Sequence, residues 1–284
     1  MLGIVILNYN TWIDTIECIK SIYRNLKGET CKIYVVDNDS SQKPLPSIMD
    51  YIHRLDNIQL IVASSNRGYS AGNNIGIKQA MLDGCDYILI SNSDILFVDN
   101  SILIMRDYLA SNNEVGIVGP QVYNIAGDFQ PFYMLSKLTV IGKLKNMFLQ
   151  TPLSFFFKEF KKKYICDLEI SKPQQVFGVS GCCFMMSRAC AEYLYPLDER
   201  TFLYEEEYII GVRMEKSFMQ VHIIPNTHII HAHGNSTGGM TYFTYNCMVK
   251  SEQLYLREYL HCSKLTCLLM LCLRKILQIK YIKL

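Results

Sequence analysis

The first 120 residues alternate short, almost continuously apolar runs with segments of helical periodicity, and this alternation restricts the chain to few folds. The runs GIVILNY (3–9) and CKIYVVD (31–37) predict strands, while residues 11–26 place isoleucines at helical spacing. Apolar strands separated by helices are typical of a largely parallel sheet that is covered by helices on both faces. The predicted fold class is therefore α/β.

The rest of the chain continues this pattern as far as residue 237. Further strands are predicted at 58–64, 86–92, 115–120 and 179–187, helices at 73–84 and 206–216, and a strand, turn and loop at 220–237. The segment after residue 245 looks helical as well.

Composition excludes several classes of protein. Half of the residues are hydrophobic, which is enough for a large core, and the net charge of +2 argues against a general nucleic-acid binder. The first residues lack the features of a signal peptide, so we expect the 11 cysteines to be reduced, cytosolic core residues. The apolar stretch 265–273 is about half as long as the roughly 20 residues of a membrane-spanning helix.

Small polar residues follow the first four predicted strands. NYN ends the first strand, DNDSS the second, SNSD the fourth, and SNRGYSAGNN follows the third. Because parallel sheets bind their ligands at the carboxyl ends of the strands, the sequence predicts one polar crevice at this edge.

Two aspartates at these strand ends have chemistry to offer. Asp37 could accept hydrogen bonds from a base N–H or a ribose hydroxyl, with an Asx-type turn as the alternative. Asp94 could hold Mg²⁺ or Mn²⁺ against a diphosphate, because Mg²⁺ typically takes only one or two protein carboxylates. The alternative for Asp94 is a cap on the helix that begins near Asn100.

A glycine-rich loop and a histidine-rich loop are weaker signals. Gly68 and Gly72 permit tight turns before a helix whose free N–H groups could meet an anion, although a plain loop explains them nearly as well. Near residue 230, His228, His231 and His233 precede the sequence GNST. A neutral imidazole could complete a metal site there, but a hydrogen-bonded structural histidine is the alternative.

Three consecutive glutamates, Glu205, Glu206 and Glu207, open the predicted helix 206–216. The helix dipole favours acids in a first turn by about 0.3–1 kcal/mol, which explains one or two of them. A carboxylate at the rim of a polar crevice could instead take a proton from a sugar hydroxyl.

Together these segments resemble a known family. VILNYN, VVDNDSS, NRGYSAGNNIGI, YILISNSD, VSGCCFMMSR, LDERTFLYEEEYIIGVRM and HAHGNST occur in the order typical of family 2 glycosyltransferases with the GT-A fold. The resemblance is to the bacterial polysaccharide, rhamnosyltransferase-like branch, and it covers roughly residues 3 to 237. It implies an inverting, metal-dependent hexosyltransferase that uses a UDP- or dTDP-sugar.

The resemblance also implies roles for individual residues. Glu207 falls on the position of the catalytic base, with Glu206 as the alternate, whereas Ile209 stands where the family often has a further Asp. The Asp-x-Asp metal motif appears as Asn92-Ser93-Asp94. Implied metal ligands are Asp94, His231 and His233, and implied nucleotide-sugar contacts are Asn8, Asp37, Asn38, Asn66, Gly68, Gly72, Asn73, Asn92 and Ser93.

The expected organisation is a catalytic domain at 1–240 and a helical tail at 241–284. Residues 1–120 would bind the nucleotide, and residues 121–240 would bind the acceptor and include a basic apolar insert at 134–165. The resemblance implies a polyprenyl-diphosphate-linked acceptor for O-antigen or capsule, reached from the cytoplasmic face of the cell membrane.

The composition of the insert and of the tail fits peripheral membrane contact, and packing on the core is the alternative. The competing functions are a sugar nucleotidyltransferase and an inactive nucleotide-sugar-binding scaffold.

Overall fold

A single β-sheet organises the part of the chain that the computed structural model describes, residues 1–26, 28–130, 133–149, 170–232 and 241–281. The strands of this part are β1 (Leu2–Asn8), β2 (Cys31–Asp37), β3 (Ile58–Val62), β4 (Tyr87–Asn92), β5 (Ile95–Phe97), β6 (Val115–Tyr123), β7 (Phe129–Gln130), β8 (Gln174–Gln175), β9 (Cys183–Ser187) and β10 (Gln220–His231).

The main path across the sheet has the order β3-β2-β1-β4-β9-β6-β10-β5. The first four strands of this path pair in parallel, as do β6 and β10, whereas β9 and β5 run antiparallel to their neighbours. Asn8 lies opposite Asp37, and Leu7 lies opposite Asn92. The ends of β1, β2 and β4 therefore meet at one edge, and the predicted mostly parallel sheet is confirmed.

Helices cover both faces of this sheet. The helices of the described residues are α1 (Trp12–Leu26), α2 (Pro46–His53), α3 (Tyr69–Leu82), α4 (Ser101–Ser111), α5 (Val140–Leu149), α6 (Arg188–Leu194), α7 (Glu206–Met214), α8 (Tyr242–Leu254) and α9 (Lys264–Tyr281), with a π-helical turn at Tyr255–Tyr259. In β1, Ile4 and Ile6 join the core formed with α1, α2 and α4, whereas Val5 joins the core formed with α3, α6 and α7. Burial on both faces explains why the strand sequences are apolar without alternation.

Several boundaries differ from the prediction, among them the start of β9 at Cys183 instead of 179, and two of the differences have a clear structural cause. Helix α3 begins at Tyr69 rather than near Asn73, because the Tyr69 N–H is already bonded to the Phe202 carbonyl and the helical bonds start at Gly68. Strand β10 continues through Pro225, where a turn was expected, and its register against β6 shifts between Ile223 and His228. A strand tolerates proline at such an irregularity because no ladder hydrogen bond is needed there.

Helix α5 of the basic insert packs against the C-terminal helices. Its Met147 is buried with Leu256 and Met270, and its Lys143 is only 2% exposed. Packing on the core, one of the two alternatives for the insert, therefore describes α5. The stretch 154–165, on which the membrane hypothesis for the insert depended, lies outside the described residues.

Helix α9 has one buried side and one apolar exposed side. Met270 is buried, whereas Leu265, Leu268, Leu269 and Ile276 are 55–67% exposed. Their spacing places these four side chains along one strip of the helix. Among the described helices, none has both the length and the apolar character that crossing a membrane requires.

Candidate active site

A hydrogen-bonded network joins the ends of β1 and β2. Asn8 donates from Nδ2 to Asp37 Oδ1 at 3.0 Å and to Ser40 Oγ at 3.2 Å, and Ser40 also donates to Asp37 Oδ1 at 2.5 Å. Asp37 is buried, and the bonds that it accepts from Asn8 and from Ser40 end on the same carboxylate oxygen. The network fixes the direction of Asp37 and commits only one of its two oxygens.

The side-chain oxygen and nitrogen of Asn8 both form hydrogen bonds to other residues of the protein. Its Oδ1 accepts from the backbone N–H and the hydroxyl of Thr11 and from the hydroxyl of Thr15, at 3.0–3.3 Å. The Thr11 hydroxyl lies 2.7 Å from the Ser93 hydroxyl, so the same network reaches the end of β4. Asn8 is 0% exposed. Asn8 therefore orients Asp37 and, through Thr11, Ser93, and its contact with a nucleotide sugar stays a prediction.

The glycine-rich loop is fixed by its own side chains and by close packing. Asn38 donates from Nδ2 to Asn66 Oδ1 at 3.0 Å and to the Gly68 carbonyl at 3.2 Å. Gly68 has φ 95°, and a Cβ there would lie 2.2 Å from the carbonyl oxygen of Phe202. A Cβ at Gly72 would lie 2.4 Å from Leu7 Cδ1. The glycines therefore serve the approach of α3 to β1 and to the segment before α7.

Asn73 is the fifth residue of α3 and is completely buried. Its Nδ2 donates to the Tyr69 carbonyl at 3.1 Å, whereas its Oδ1 has no hydrogen-bond partner among the described residues. Buried polar atoms are normally satisfied, so this oxygen is a candidate acceptor for a ligand donor.

Asp94 and His231 form a buried pair at the predicted metal site. Asp94 Oδ1 lies 3.3 Å from His231 Nε2, and the Ala232 N–H donates to the Asp94 carbonyl at 3.0 Å. Burial lowers the pKa of His231, but its hydrogen bonds to Asp94 and Cys182 outweigh burial and raise that pKa to about 10. One carboxylate and one imidazole are donors that a divalent cation accepts, with water and phosphate oxygens as the remaining ligands.

Two further histidines, His233 and His228, were considered as metal ligands from the sequence. His233 lies outside the described residues, and His228 pairs instead with Asp99 at 3.3 Å. Within the described part of the chain, no group of three or more His, Cys, Asp or Glu side chains is arranged to hold an ion. The pair of Asp94 and His231 fits a cation that takes most of its ligands from water and phosphate oxygens.

The glutamates approach the sheet from the side of α7. Glu207 Oε1 accepts from the Gly181 N–H at 3.2 Å, and a Cβ at Gly181 would lie 3.0 Å from that oxygen. The Tyr69 hydroxyl donates to the Gly181 carbonyl at 2.5 Å. Glu206 is 9% exposed, and its Oε2 has no hydrogen-bond partner among the described residues.

Both carboxyl groups resist ionisation. Burial raises the pKa of Glu206 well above its usual range, and the neighbouring Glu207 raises it further. Burial also raises the pKa of Glu207, against hydrogen bonds to its carboxylate, including that from Gly181, and against the positive charge of Lys143, which lower it. Two carboxyl groups that are adjacent in one turn and interact this strongly titrate as a pair.

Consecutive residues join the metal pair to the glutamates. Gly181 binds Glu207, while the next residue, Cys182, bonds to His231 and accepts from the Asn92 N–H through its carbonyl at 2.8 Å. Neighbouring Cα atoms are about 3.8 Å apart, so the two groups lie on the same side of the molecule. Gly181 and Cys182 were not recognised from the sequence, where they belong to an apolar run.

Glu205 differs from the other two glutamates. It lies just before α7 with φ 69°, outside the first turn in which it was expected. The Lys143 Nζ atom is 2.5 Å from both of its carboxylate oxygens. A buried lysine therefore explains why a third acid is tolerated here, and the helix dipole and a nearby metal are not needed to explain it.

Two open hollows lie beside these groups. One of about 460 Å³ includes Asn38, Arg67 and Glu199 in its lining, and another of about 480 Å³ includes Asn10 and Thr11. The lining of neither includes Asp94 or a glutamate of α7. We assign the site from the convergence of polar and ionisable side chains, because these determine chemistry and a hollow alone does not.

These features define the class of protein. The chain belongs to glycosyl transferase family 2, whose model matches residues 3–194. Solved glycosyltransferases show that its fold is GT-A, as the sequence predicted. GalNAc-T7 with UDP, GalNAc and Mn²⁺ superposes with a TM-score of 0.63 at 12% identity, over 97% of this chain and 54% of that one. S. aureus TarS 1-349 with UDP-GlcNAc gives 0.54 at 11% identity, over 90% and 66%.

Curated relatives confirm the rhamnosyltransferase-like branch. The low-salt glycan biosynthesis hexosyltransferase Agl10 of Haloferax volcanii is 26% identical over 207 residues, 72% of this chain and 59% of Agl10. The dTDP-rhamnosyl transferase RfbF of Shigella flexneri is 22% identical over 236 residues, 82% and 69% respectively.

An N-acetylglucosaminyl-diphospho-decaprenol L-rhamnosyltransferase of Mycobacterium tuberculosis is 22% identical over 201 residues, 66% of this chain and 62% of the relative. The matched region thus spans 59–69% of the lengths of these three relatives.

Proposed function

We propose that this chain is an inverting glycosyltransferase that moves a hexose from a nucleoside diphosphate to a hydroxyl group of a saccharide acceptor. The observation that carries the proposal is the pair of consecutive residues Gly181 and Cys182: the Gly181 N–H donates to Glu207, and the Cys182 side chain is hydrogen-bonded to His231. A base and an anion-binding group that are held close together by consecutive residues are what a displacement at a sugar carbon requires.

The ends of β1 and β2 would hold the nucleoside. Asp37 is oriented by Asn8 and Ser40, and its second oxygen could accept a hydrogen bond from a base or a ribose. Asn38 and Asn66 brace the loop that would lie along the donor, and the unpaired Asn73 Oδ1 could accept from it. Asn92 and Ser93 lead to the diphosphate end of this crevice.

Asp94 and His231 would hold Mg²⁺ or Mn²⁺, with His233 as a further candidate ligand. When bound, such an ion neutralises charge on the diphosphate leaving group. The Asp94 side chain is buried, the His231 side chain is 11% exposed, and the two face each other, so they would present one carboxylate oxygen and one ring nitrogen without rearrangement of the sheet.

Glu207 would act as the base, with Glu206 as the alternate. Its carboxylate would take the proton of the acceptor hydroxyl while that oxygen attacks the anomeric carbon and the nucleoside diphosphate leaves from the opposite face, which inverts the carbon. The raised pKa of Glu207 brings its basicity closer to that of a base that works near neutral pH. The Gly181 N–H would keep the carboxylate in position.

The names of relatives suggest substrates. RfbF is a dTDP-rhamnosyl transferase, the M. tuberculosis relative is named for a diphospho-decaprenol substrate, and two structural neighbours carry UDP or UDP-GlcNAc. We therefore propose a UDP- or dTDP-sugar donor and a polyprenyl-diphosphate-linked saccharide acceptor, in the assembly of O-antigen or capsule.

A lipid-linked acceptor places the enzyme at a membrane surface. The exposed strip of α9 supports peripheral contact, because four large apolar side chains there have no cover from the described residues. We propose that residues 1–240 form the catalytic domain and that 241–284 carry this contact, at the cytoplasmic face of the cell membrane.

The test is a screen of UDP- and dTDP-sugars with Mn²⁺ or Mg²⁺, with and without a synthetic polyprenyl-diphosphate saccharide. Metal-dependent transfer or slow donor hydrolysis that is lost in Glu207→Gln supports the proposal. Exchange of pyrophosphate into the nucleotide sugar would indicate a nucleotidyltransferase, and binding without turnover would indicate an inactive scaffold.

A further inference from the structure

A buried lysine from the insert holds the turn that precedes the two candidate bases. Lys143 of α5 lies between the carboxylate of Glu205 and two aromatic rings, with its Nζ atom 4.2 Å from the ring centre of Tyr208 and 5.1 Å from that of Tyr255. Each of these contacts is typical of a fully charged ammonium group. The charge is therefore held in one place by three partners.

The turn held by this lysine has an unusual backbone. Tyr204 and Glu205 both have φ 69°, a left-handed backbone conformation that residues other than glycine rarely adopt. Such residues persist where surrounding contacts determine their conformation, and they are concentrated at functional sites. Glu205 makes no side-chain hydrogen bond to cap α7, although its carbonyl accepts the Ile209 N–H at 2.9 Å. Its side chain turns to Lys143 instead.

We propose that Lys143 is a positioning residue: by holding Glu205 in its left-handed conformation, it fixes the direction in which the next two glutamates leave the turn. The inference rests on the proposed function, because it assigns a role in placing the base of that reaction. Lys143 does not touch the substrate in this scheme, and it acts through Glu205.

The C-terminal helices surround the same turn. Ser251 of α8 donates to the Leu203 carbonyl at 2.8 Å, and Arg274 of α9 makes a bidentate ion pair with Glu252 at 2.7 and 2.8 Å. The titratable and charged groups that face the candidate bases or Glu205 are Tyr69 of α3, Lys143 of α5, Tyr204, Glu205 and Tyr208 around α7, Tyr255 after α8, and the Glu252–Arg274 pair.

The test replaces the buried pair and, as a matched control, an exposed ion pair that joins the same insert to the other end of α7. Lys143→Met/Glu205→Met removes both charges with little change in side-chain length. Lys137→Met/Glu215→Met removes an ion pair of 3.0 Å that also joins the insert to the end of α7 but is open to solvent. Folding of both variants is checked by circular dichroism and thermal melting.

We expect the buried-pair variant to lose about 10- to 100-fold in kcat while its donor KM stays within about two-fold, because the base is displaced and the donor site is not. The acidic limb of its pH–rate profile should move to higher pH, since Lys143 no longer favours ionised Glu207. Hydrogen exchange should become faster in residues 203–210. The control should match the wild type in all three measurements.

A second variant, which removes only one of the two charges, tests the direction of the shift. Glu205→Gln can still accept a hydrogen bond from Lys143 but leaves the lysine charge uncompensated, so the acidic limb should move to lower pH, opposite to the double variant. Unchanged pH profiles and unchanged exchange in these variants would make the pair merely structural and overturn the inference. A wild type that transfers no sugar from any donor would overturn the proposed function instead, and the exchange data would still decide the role of Lys143.

Discussion

The two sides of the candidate site are built from different interactions. At the ends of β1, β2 and β4, neutral amides and hydroxyls bond to one another, and Asp37 is the only carboxylate within the network centred on Asn8. Around the start of α7, by contrast, the described structure buries two ion pairs, Lys143–Glu205 and Arg274–Glu252. A neutral network loses little when one bond is removed, whereas a buried charge without its partner is costly. The side at the ends of β1, β2 and β4, which we call the donor side, should therefore tolerate substitutions better than the side at the start of α7, which we call the glutamate side.

The largest expected effect concerns the base. Glu207→Gln should lower kcat by about 10²–10⁴-fold, because the amide cannot accept the acceptor proton, and donor affinity should stay nearly intact. Rates with saturating acceptor and donor titrations by calorimetry measure the two quantities. Glu206→Gln is the matched control, and an equal loss there with an active Glu207→Gln would reassign the base to Glu206.

The free energy of unfolding tests whether the two sides of the site differ in their tolerance to substitution. Arg274→Met leaves Glu252 buried without its partner and should lower the free energy of unfolding by about 3–5 kcal/mol. Thr15→Val, which removes one hydroxyl bond to Asn8, should cost about 1 kcal/mol. Denaturant titrations of both variants give the values. Equal losses would show that the two sides do not differ as we describe.

Metal-dependent donor binding is the next measurement. Asp94→Asn should weaken it on the order of 10- to 100-fold, because the amide is a poor ligand for Mg²⁺ or Mn²⁺ beside His231. Donor affinity is measured over a titration of Mn²⁺, with Asp99→Asn as a control near His228. Undiminished metal dependence in Asp94→Asn would show that the ion binds elsewhere.

Glu206 should make stability depend on pH. Its pKa in the folded protein is raised above its unfolded value, so the stability of the neutral form is fully present below the unfolded pKa and is lost as pH rises through the folded pKa. Glu206→Gln removes this loss, and its melting temperature should exceed that of the wild type at alkaline pH more than at pH 4. The same difference at every pH would contradict the raised pKa.

Membrane contact is expected to give the smallest change. Leu268→Glu/Leu269→Glu places charges on the exposed strip of α9 and should reduce co-sedimentation with phosphatidylglycerol vesicles several-fold. Ile125→Glu, an exposed apolar residue outside α9, is the control. If the α9 variant binds vesicles like the wild type, the proposed contact through this helix is wrong.

The sequence predicts the donor side well because the residues that determine it are close together in the chain. A strand followed at once by small polar residues is readable from a few letters, and β2 was predicted residue for residue as 31–37. The short elements α2, β5 and α6 were not predicted, since they contain too few residues to show a period.

The glutamate side is less readable because its determinants are distant in the chain. Nothing near Glu205 points to Lys143, which lies 62 positions away in an insert whose lysines suggested a solvated or lipid-facing surface. The contact between Gly181 and Glu207 also depends on how β9 passes between β4 and β6. Such pairings follow from packing and not from a local pattern.

The contact of Gly68 with Phe202 has a practical consequence for anyone who wants to change donor preference. Position 68 accepts only glycine, and position 72 has no room for a larger residue, so randomising either would mainly yield misfolded clones. Ser64, Ser65 and Arg67 lie in the same loop with exposed side chains. A mutant library aimed at new sugar nucleotides should diversify these three positions and leave the glycines fixed.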